Sequence, residues 1–137
     1  MKRLILIAAV FMMAGTIYGQ TFNKGNCFII HVLTVTPAPN ATLDQYFDFF
    51  KNKYIPEMEK NMPGVKGYVV KGVKGECVNC YGAIRIYKSK ADQDKYFNEE
   101  GSNTEIMNAV NEKMKPLLDE MEKLGTVTTK NTTWEIQ

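Results

Sequence analysis

The sequence predicts an α+β fold: a four-stranded antiparallel sheet carrying both of its helices on one face, in the order β-α-β-β-α-β. Three observations predict it. Short β-branched runs alternate with amphipathic helical stripes, and the pattern strand-helix-strand occurs twice in succession. Pro- and Gly-bearing turns punctuate the runs where a compact fold needs them. The first strand-like run is apolar at nearly every position, so both of its faces are to be covered.

The chain opens with MKRLILIAAVFMMAGTIYGQ. Lys2 and Arg3 form a basic start, and Leu4 to Ala14 is an apolar run of eleven residues, too short to span a bilayer comfortably. With Gly19 before Gln20, this is the layout of a secretory signal peptide, residues 1–19, cleaved after Gly19. The competing reading is an uncleaved N-terminal anchor. The expectation is export, to the periplasm or beyond, from a bacterial cell. Residues 20–137 are then a single domain of 118 residues, long enough for one core.

Cys27 to Val35 (CFIIHVLTV) reads as the first strand, bounded by Gly25-Asn26 and Pro37-Ala38-Pro39. Thr42-Leu43-Asp44-Gln45 is a capping box, and Leu43, Phe47, Phe50, Tyr54 and Met58 form one helical stripe behind it. Pro56 lies inside the stripe and is expected to kink or end the helix near Tyr54-Ile55. Met62-Pro63-Gly64 turns the chain into a second strand, Val65 to Val73. A loop leads to the third, Cys80 to Lys88. Ser89, with Asp92 three residues on, opens a short helix that breaks at Gly101. Ser102 to Glu105 reads as a second box, opening a stripe from Ile106 to Leu124 that bends at Pro116 and stops at Gly125. Val127 to Ile136 is a Thr-rich last strand.

Lys2 and Arg3 account for two of the 17 basic residues; the 15 that remain balance 15 acidic ones. A neutral mature chain has no electrostatic footprint for nucleic acid or for an anionic membrane. Cys27, Cys77 and Cys80 are an odd set in a compartment that permits disulfides. Cys77-Val78-Asn79-Cys80 is a lone C-x-x-C leading into a strand. It lacks the second pair a zinc site needs and the helix N-terminus a redox pair needs. It reads as a structural bridge or as plain thiols. Met58, Met62, Met107, Met114 and Met121 fall at helical spacing and read as core rather than as copper ligands.

Lys53-Tyr54-Ile55-Pro56-Glu57, the following Met62-Pro63-Gly64-Val65-Lys66-Gly67-Tyr68, and Lys115-Pro116-Leu117-Leu118 resemble the helix ends of EthD-like and NIPSNAP-like proteins, of the ferredoxin-like, dimeric α+β barrel superfamily. The resemblance runs over about residues 27–136. It implies a homodimer whose two sheets face each other, in a superfamily that includes cofactor-free monooxygenases, cyclases and haem-handling proteins. Tyr54 stands where EthD-like members often carry His, so the resemblance assigns no catalytic His to the helix.

Alternation separates the faces of the strands. Cys27, Ile29, His31, Leu33 and Val35 share one side of the first strand; Tyr81, Ala83, Arg85 and Tyr87 share one side of the third. The purely aliphatic sides are expected against the helices, with His31 and Arg85 facing the barrel interior from parallel neighbouring strands and Tyr68 pointing the same way. His31, the only histidine, is a candidate acid or base; its plain alternative is a satisfied core residue. Arg85 is a candidate anion clamp; its plain alternative is a salt bridge. Tyr54, Tyr68, Tyr81, Tyr87 and Trp134 are candidates for an aromatic wall around a ligand. No metal site and no cofactor are expected. The sequence supports an exported homodimer binding a small apolar or aromatic molecule, with cofactor-independent oxygenation or proton transfer as its chemistry. A non-catalytic dimer with a packed core and a haem-binding protein stand as alternatives.

Overall fold

The computed structural model describes residues 22–76, 78 and 80–137. The expected signal peptide (residues 1–19), Cys77 and Asn79 lie outside them. The elements are β1 (Cys27–Pro37), α1 (Leu43–Phe49), a π-helical segment (Phe50–Tyr54), α2 (Ile55–Asn61), β2 (Lys66–Lys71), β3 (Tyr81–Tyr87), α3 (Lys90–Asp94), α4 (Glu105–Glu122) and β4 (Gly125–Glu135). The sheet order is β2-β3-β1-β4, and every neighbouring pair is antiparallel. This is the ferredoxin-like α+β arrangement expected from the sequence. The expectation that β1 and β3 run parallel is overturned. Each β-α-β crossover skips one place in the sheet, and the strand that fills the gap returns in the opposite sense.

Local sequence explains most element ends. The Thr42 hydroxyl accepts from the Gln45 amide at 3.2 Å, while Gln45 Oε1 accepts from the Thr42 amide at 2.9 Å, so both halves of the box are made. Ser89 caps α3 by accepting from the Asp92 amide. At α4 the cap is Thr104, not Ser102: its hydroxyl accepts from the Met107 amide and donates to the Lys95 carbonyl. Pro56 does not end its helix. The chain widens into a π turn over Phe50–Tyr54, with the Ile55 amide bonded to the Phe50 carbonyl, and continues to Asn61. The wider turn relieves the clash between the proline ring and the preceding turn.

Gly125 is not the helix stop either. It opens β4 opposite Pro37, where a Cβ would stand 2.7 Å from the Thr36 carbonyl oxygen. Gly125→Ala is therefore expected to lower stability by about 1–3 kcal/mol, read by urea denaturation. An unchanged midpoint would mean that β1 and β4 separate there without cost.

The helices cover the face of the sheet that bears Cys27, Ile29, Leu33, Ala83 and Tyr87, all buried. Gly67 shares this face, and a Cβ on it would lie 2.9 Å from Met58 Cε and 3.1 Å from Ile55 Cγ2. The expected faces are thus reversed: the side of His31 and Arg85 lies beneath the helices, and the aliphatic side is open. A small residue helps decide this, because Gly67 leaves room for Met58 and Ile55 to descend onto the sheet. The five methionines of the helical stripes and their flank (Met58, Met62, Met107, Met114, Met121) are all buried in the resulting core, as expected. Phe28, Ile30, Val32, Tyr68, Val70, Ile84, Ile86 and Trp134 share the uncovered face.

Candidate functional site

β1 and β3 place Ile29 opposite Arg85 and His31 opposite Ala83, so His31 and Arg85 are diagonal neighbours on the covered face. Diagonal side chains of an antiparallel pair are about 7–8 Å apart at the backbone, within reach of each other for long groups. On the other side of β1, Asn131 lies opposite His31 and Thr133 opposite Ile29. α3 and the loop after it close over this patch. They leave a cavity of about 440 Å³ lined by His31, Arg85, Asn131 and Thr133 from the sheet and by Lys90, Gln93, Asp94, Phe97 and Glu99 from above. That is the size of a small-molecule site. Gln93 Nε2 donates to Thr133 Oγ1 at 3.1 Å at its rim.

His31 is half-buried. Its Nε2 is sealed from solvent and bonds to nothing. Burial first, and then repulsion from Arg85, lower its pKa to about 4, so the imidazole is neutral at physiological pH. A buried nitrogen without a partner costs about 1–3 kcal/mol, and native proteins keep few of them. Arg85 Nη2 donates to the Tyr54 hydroxyl at 3.2 Å. Among the described residues the ion pairs are lysine–carboxylate pairs, and no carboxylate pairs with Arg85.

The five candidate aromatics do not form one wall. Tyr54 reaches the site through Arg85 and stacks on Phe50, ring centroids 4.9 Å apart. Tyr87 is fully buried beside Arg85 and Tyr96. Burial raises its phenol pKa, with the Arg85 charge pulling the other way, yet its hydroxyl makes no well-formed hydrogen bond. Tyr81 stacks on Phe47 at 3.7 Å, in the core towards the other end of the strand. Tyr68 and Trp134 stand on the open face, 43% and 53% exposed. Asn131, Thr133 and the α3 residues were not singled out as site residues from sequence. The available signals were the Ser89–Asp92 cap, which starts an element over the sheet, and the two-residue spacing of Asn131 and Thr133, which puts both on the face of His31.

A larger depression, about 940 Å³, lies over the open face against Tyr68, Val70, Ile84 and Ile86. Its titratable lining residues are Lys66, Lys88, Tyr68 and Tyr87, without a carboxylate or an imidazole. Cys27 is a buried free thiol whose pKa is raised, chiefly by burial, so it stays protonated. Cys80 is disulfide-bonded. Among the described residues no group of three metal-ligating side chains is found, and no helix is long and apolar enough to cross a membrane.

The chain matches no protein-family model and no curated protein. Its fold resembles solved structures. One is a mutant of SnoaB, a cofactor-independent oxygenase from Streptomyces nogalater, at 12% identity over 83% of this chain and 95% of that one, with a TM-score of 0.49. Another is a candidate monooxygenase from Shewanella loihica PV-4, at 12% identity, 84% and 97% coverage and a TM-score of 0.45. A third is an EthD family protein from Bacillus halodurans, at 14% identity, 77% and 96% coverage and a TM-score of 0.38. These are likenesses of chain trace, and no residue's role passes from them to this chain. By its own strand order and layering, the chain has a ferredoxin-like α+β fold.

Proposed function

We propose that the protein is an exported homodimer that binds a small, largely apolar or aromatic molecule bearing one acidic hydrogen, and moves that proton without a cofactor. The observation that carries this reading is the pairing, in one cavity, of a neutral imidazole that lacks a protein partner with an arginine that lacks a carboxylate. A ligand O–H or acidic C–H placed against His31 transfers its proton to the imidazole. The electron pair stays on the ligand as a phenolate or enolate, whose oxygen the Arg85 fork receives. The two steps assist each other. The new anion offsets the repulsion between Arg85 and the imidazolium, so the base strengthens as the ligand ionises. An anion of this kind is also where a cofactor-independent oxygenation begins. Phe97 and Ile29 supply apolar wall for the rest of the molecule.

Titration calorimetry with 4-hydroxybenzoate, 2-naphthol and 1,3-cyclohexanedione tests the reading. At least one is expected to bind. His31→Ala and Arg85→Gln are each expected to weaken it by about 10-fold or more, the size of one charge-assisted hydrogen bond. Binding by none of them, or binding indifferent to both substitutions, would favour a non-catalytic dimer. A haem absorbance change dependent on His31 would favour the haem reading instead.

A further inference from the structure

We infer that Tyr54 is a positioning residue for Arg85, carried to it by the π turn before Pro56 and by the close approach of α2 at Gly67. The inference rests on the reading of Arg85 as the clamp for the ligand's anion. Pro56 has no amide hydrogen, and its ring would collide with the carbonyl four residues earlier in a regular α-helix. The π turn resolves this with the Ile55 amide reaching back to Phe50, and it ends on Tyr54. Phe50 and Tyr54 stay stacked, their planes 12° apart, on the side towards the sheet. Directly below, Gly67 is the register partner of Arg85 on β2. Without a side chain there, Met58 and Ile55 come down onto the sheet, and the Tyr54 hydroxyl comes within 3.2 Å of Arg85 Nη2.

The chemistry of the partner is what gives this contact a role. The charged groups around the cavity are Arg85 on β3, Lys90 and Asp94 on α3, and Glu99 in the following loop. Held by Asp94 or Glu99, the guanidinium would be neutralised and turned towards the rim. A phenol hydroxyl fixes one N–H of the fork as a neutral acceptor. The charge and the remaining donors stay available to an anion beside His31. Tyr54 is buried, so the contact also satisfies its own hydroxyl. Tyrosine supplies both the reach and the neutrality; a carboxylate at this position would satisfy Arg85 and close the clamp.

Tyr54→Phe keeps the ring and its stacking and removes only the acceptor. Two readouts follow. His31 is the only imidazole in the chain, so its proton NMR signals titrate without overlap. When Arg85 is released towards the rim, the His31 midpoint is expected to rise by at least about half a unit from its value near 4. The affinity for 4-hydroxybenzoate, or for whichever of the three probes binds the wild type, is expected to fall about 3- to 10-fold, the share of a clamp that is present but unfixed. A His31 titration and an affinity both identical to wild type would overturn the inference and leave Tyr54 as core. If the titration moves while no probe binds even the wild type, the positioning role stands and the proposed function falls.

Discussion

Ile84→Glu is expected to convert a homodimer into a monomer. Ile84 sits in the middle of the uncovered face, opposite Ile30 on β1 and Tyr68 on β2, with Phe28 and Ile86 on one side and Val32 and Val70 on the other. Val32, Tyr68, Val70 and Trp134 are all exposed in the single chain. Monomeric proteins rarely leave an apolar patch of this extent to water. In the proposed dimer a second copy, sheet against sheet, would cover it with the same residues, and a stable interface needs about 800 Å² per partner. A two-fold axis brings the substituted position of each copy into the same dry contact, so two carboxylates are buried without partners. Leaving a buried charge uncompensated costs about 3–5 kcal/mol, which raises the dimer dissociation constant by about a hundredfold to several thousandfold. The helix-covered core lies on the other side of the sheet, so the monomer is expected to stay folded. Sedimentation equilibrium reads the result. A wild type at the mass of one chain, or an Ile84→Glu variant still at twice that mass, would contradict the sheet-to-sheet dimer.

The second large effect is a loss of stability between pH 6.5 and 4.5 that belongs to one residue. The His31 pKa is about 4 in the folded chain against 6.5 for a free imidazole, lowered by burial and by Arg85. Between those values the unfolded chain binds a proton that the folded chain refuses, so stability falls as pH falls. Below pH 4 both states are protonated, and the loss is complete. Over the two units from 6.5 to 4.5 the change is about 1–2 kcal/mol after solvent screening at the half-exposed ring is allowed for. Carboxylates act lower down. Glu57, held low by Lys60 and Asn61, and Asp92, held low by Lys95 and Ser89, keep their charge to lower pH than free carboxylates do. Urea denaturation at fixed protein concentration, at pH 7 and pH 5, is expected to show this slope in the wild type and a flat response in His31→Asn. Equal slopes in the two proteins would mean that His31 is as well solvated in the folded chain as in the unfolded one.

The elements were legible in the sequence because each rests on local chemistry. The Thr42–Gln45 box, the Ser89 cap and the alternation of β1 all act within a few residues. The faces of the sheet were not legible. Both sides of β1 are apolar, so periodicity predicted cover for each side without showing which side meets the helices. Gly67 is small and carries no hydrophobic signal; it matters by the space it leaves, which appears only when α2 lies on it. The pairing of His31 with Arg85 was expected for a wrong reason, parallel strands, and still holds because diagonal neighbours meet in an antiparallel pair as well. Pro56 illustrates the same limit. Proline chemistry predicts a disturbance, but whether the chain breaks or widens into a π turn depends on the packing of Phe50 and Tyr54 beneath it. The roof of the cavity, from Lys90 to Gly101, is announced only by the Ser89–Asp92 cap; its polar residues act by position over the sheet.

The account turns on His31 being a neutral, poorly solvated base beside an available cation. A proton NMR titration of that single imidazole in the wild-type protein, from pH 8 to pH 3.5, addresses this most directly. The account predicts a midpoint near 4. A midpoint near 6.5 would contradict it: the imidazole would then be solvated, Arg85 would lie too far away to act on it, and the cavity would hold no site.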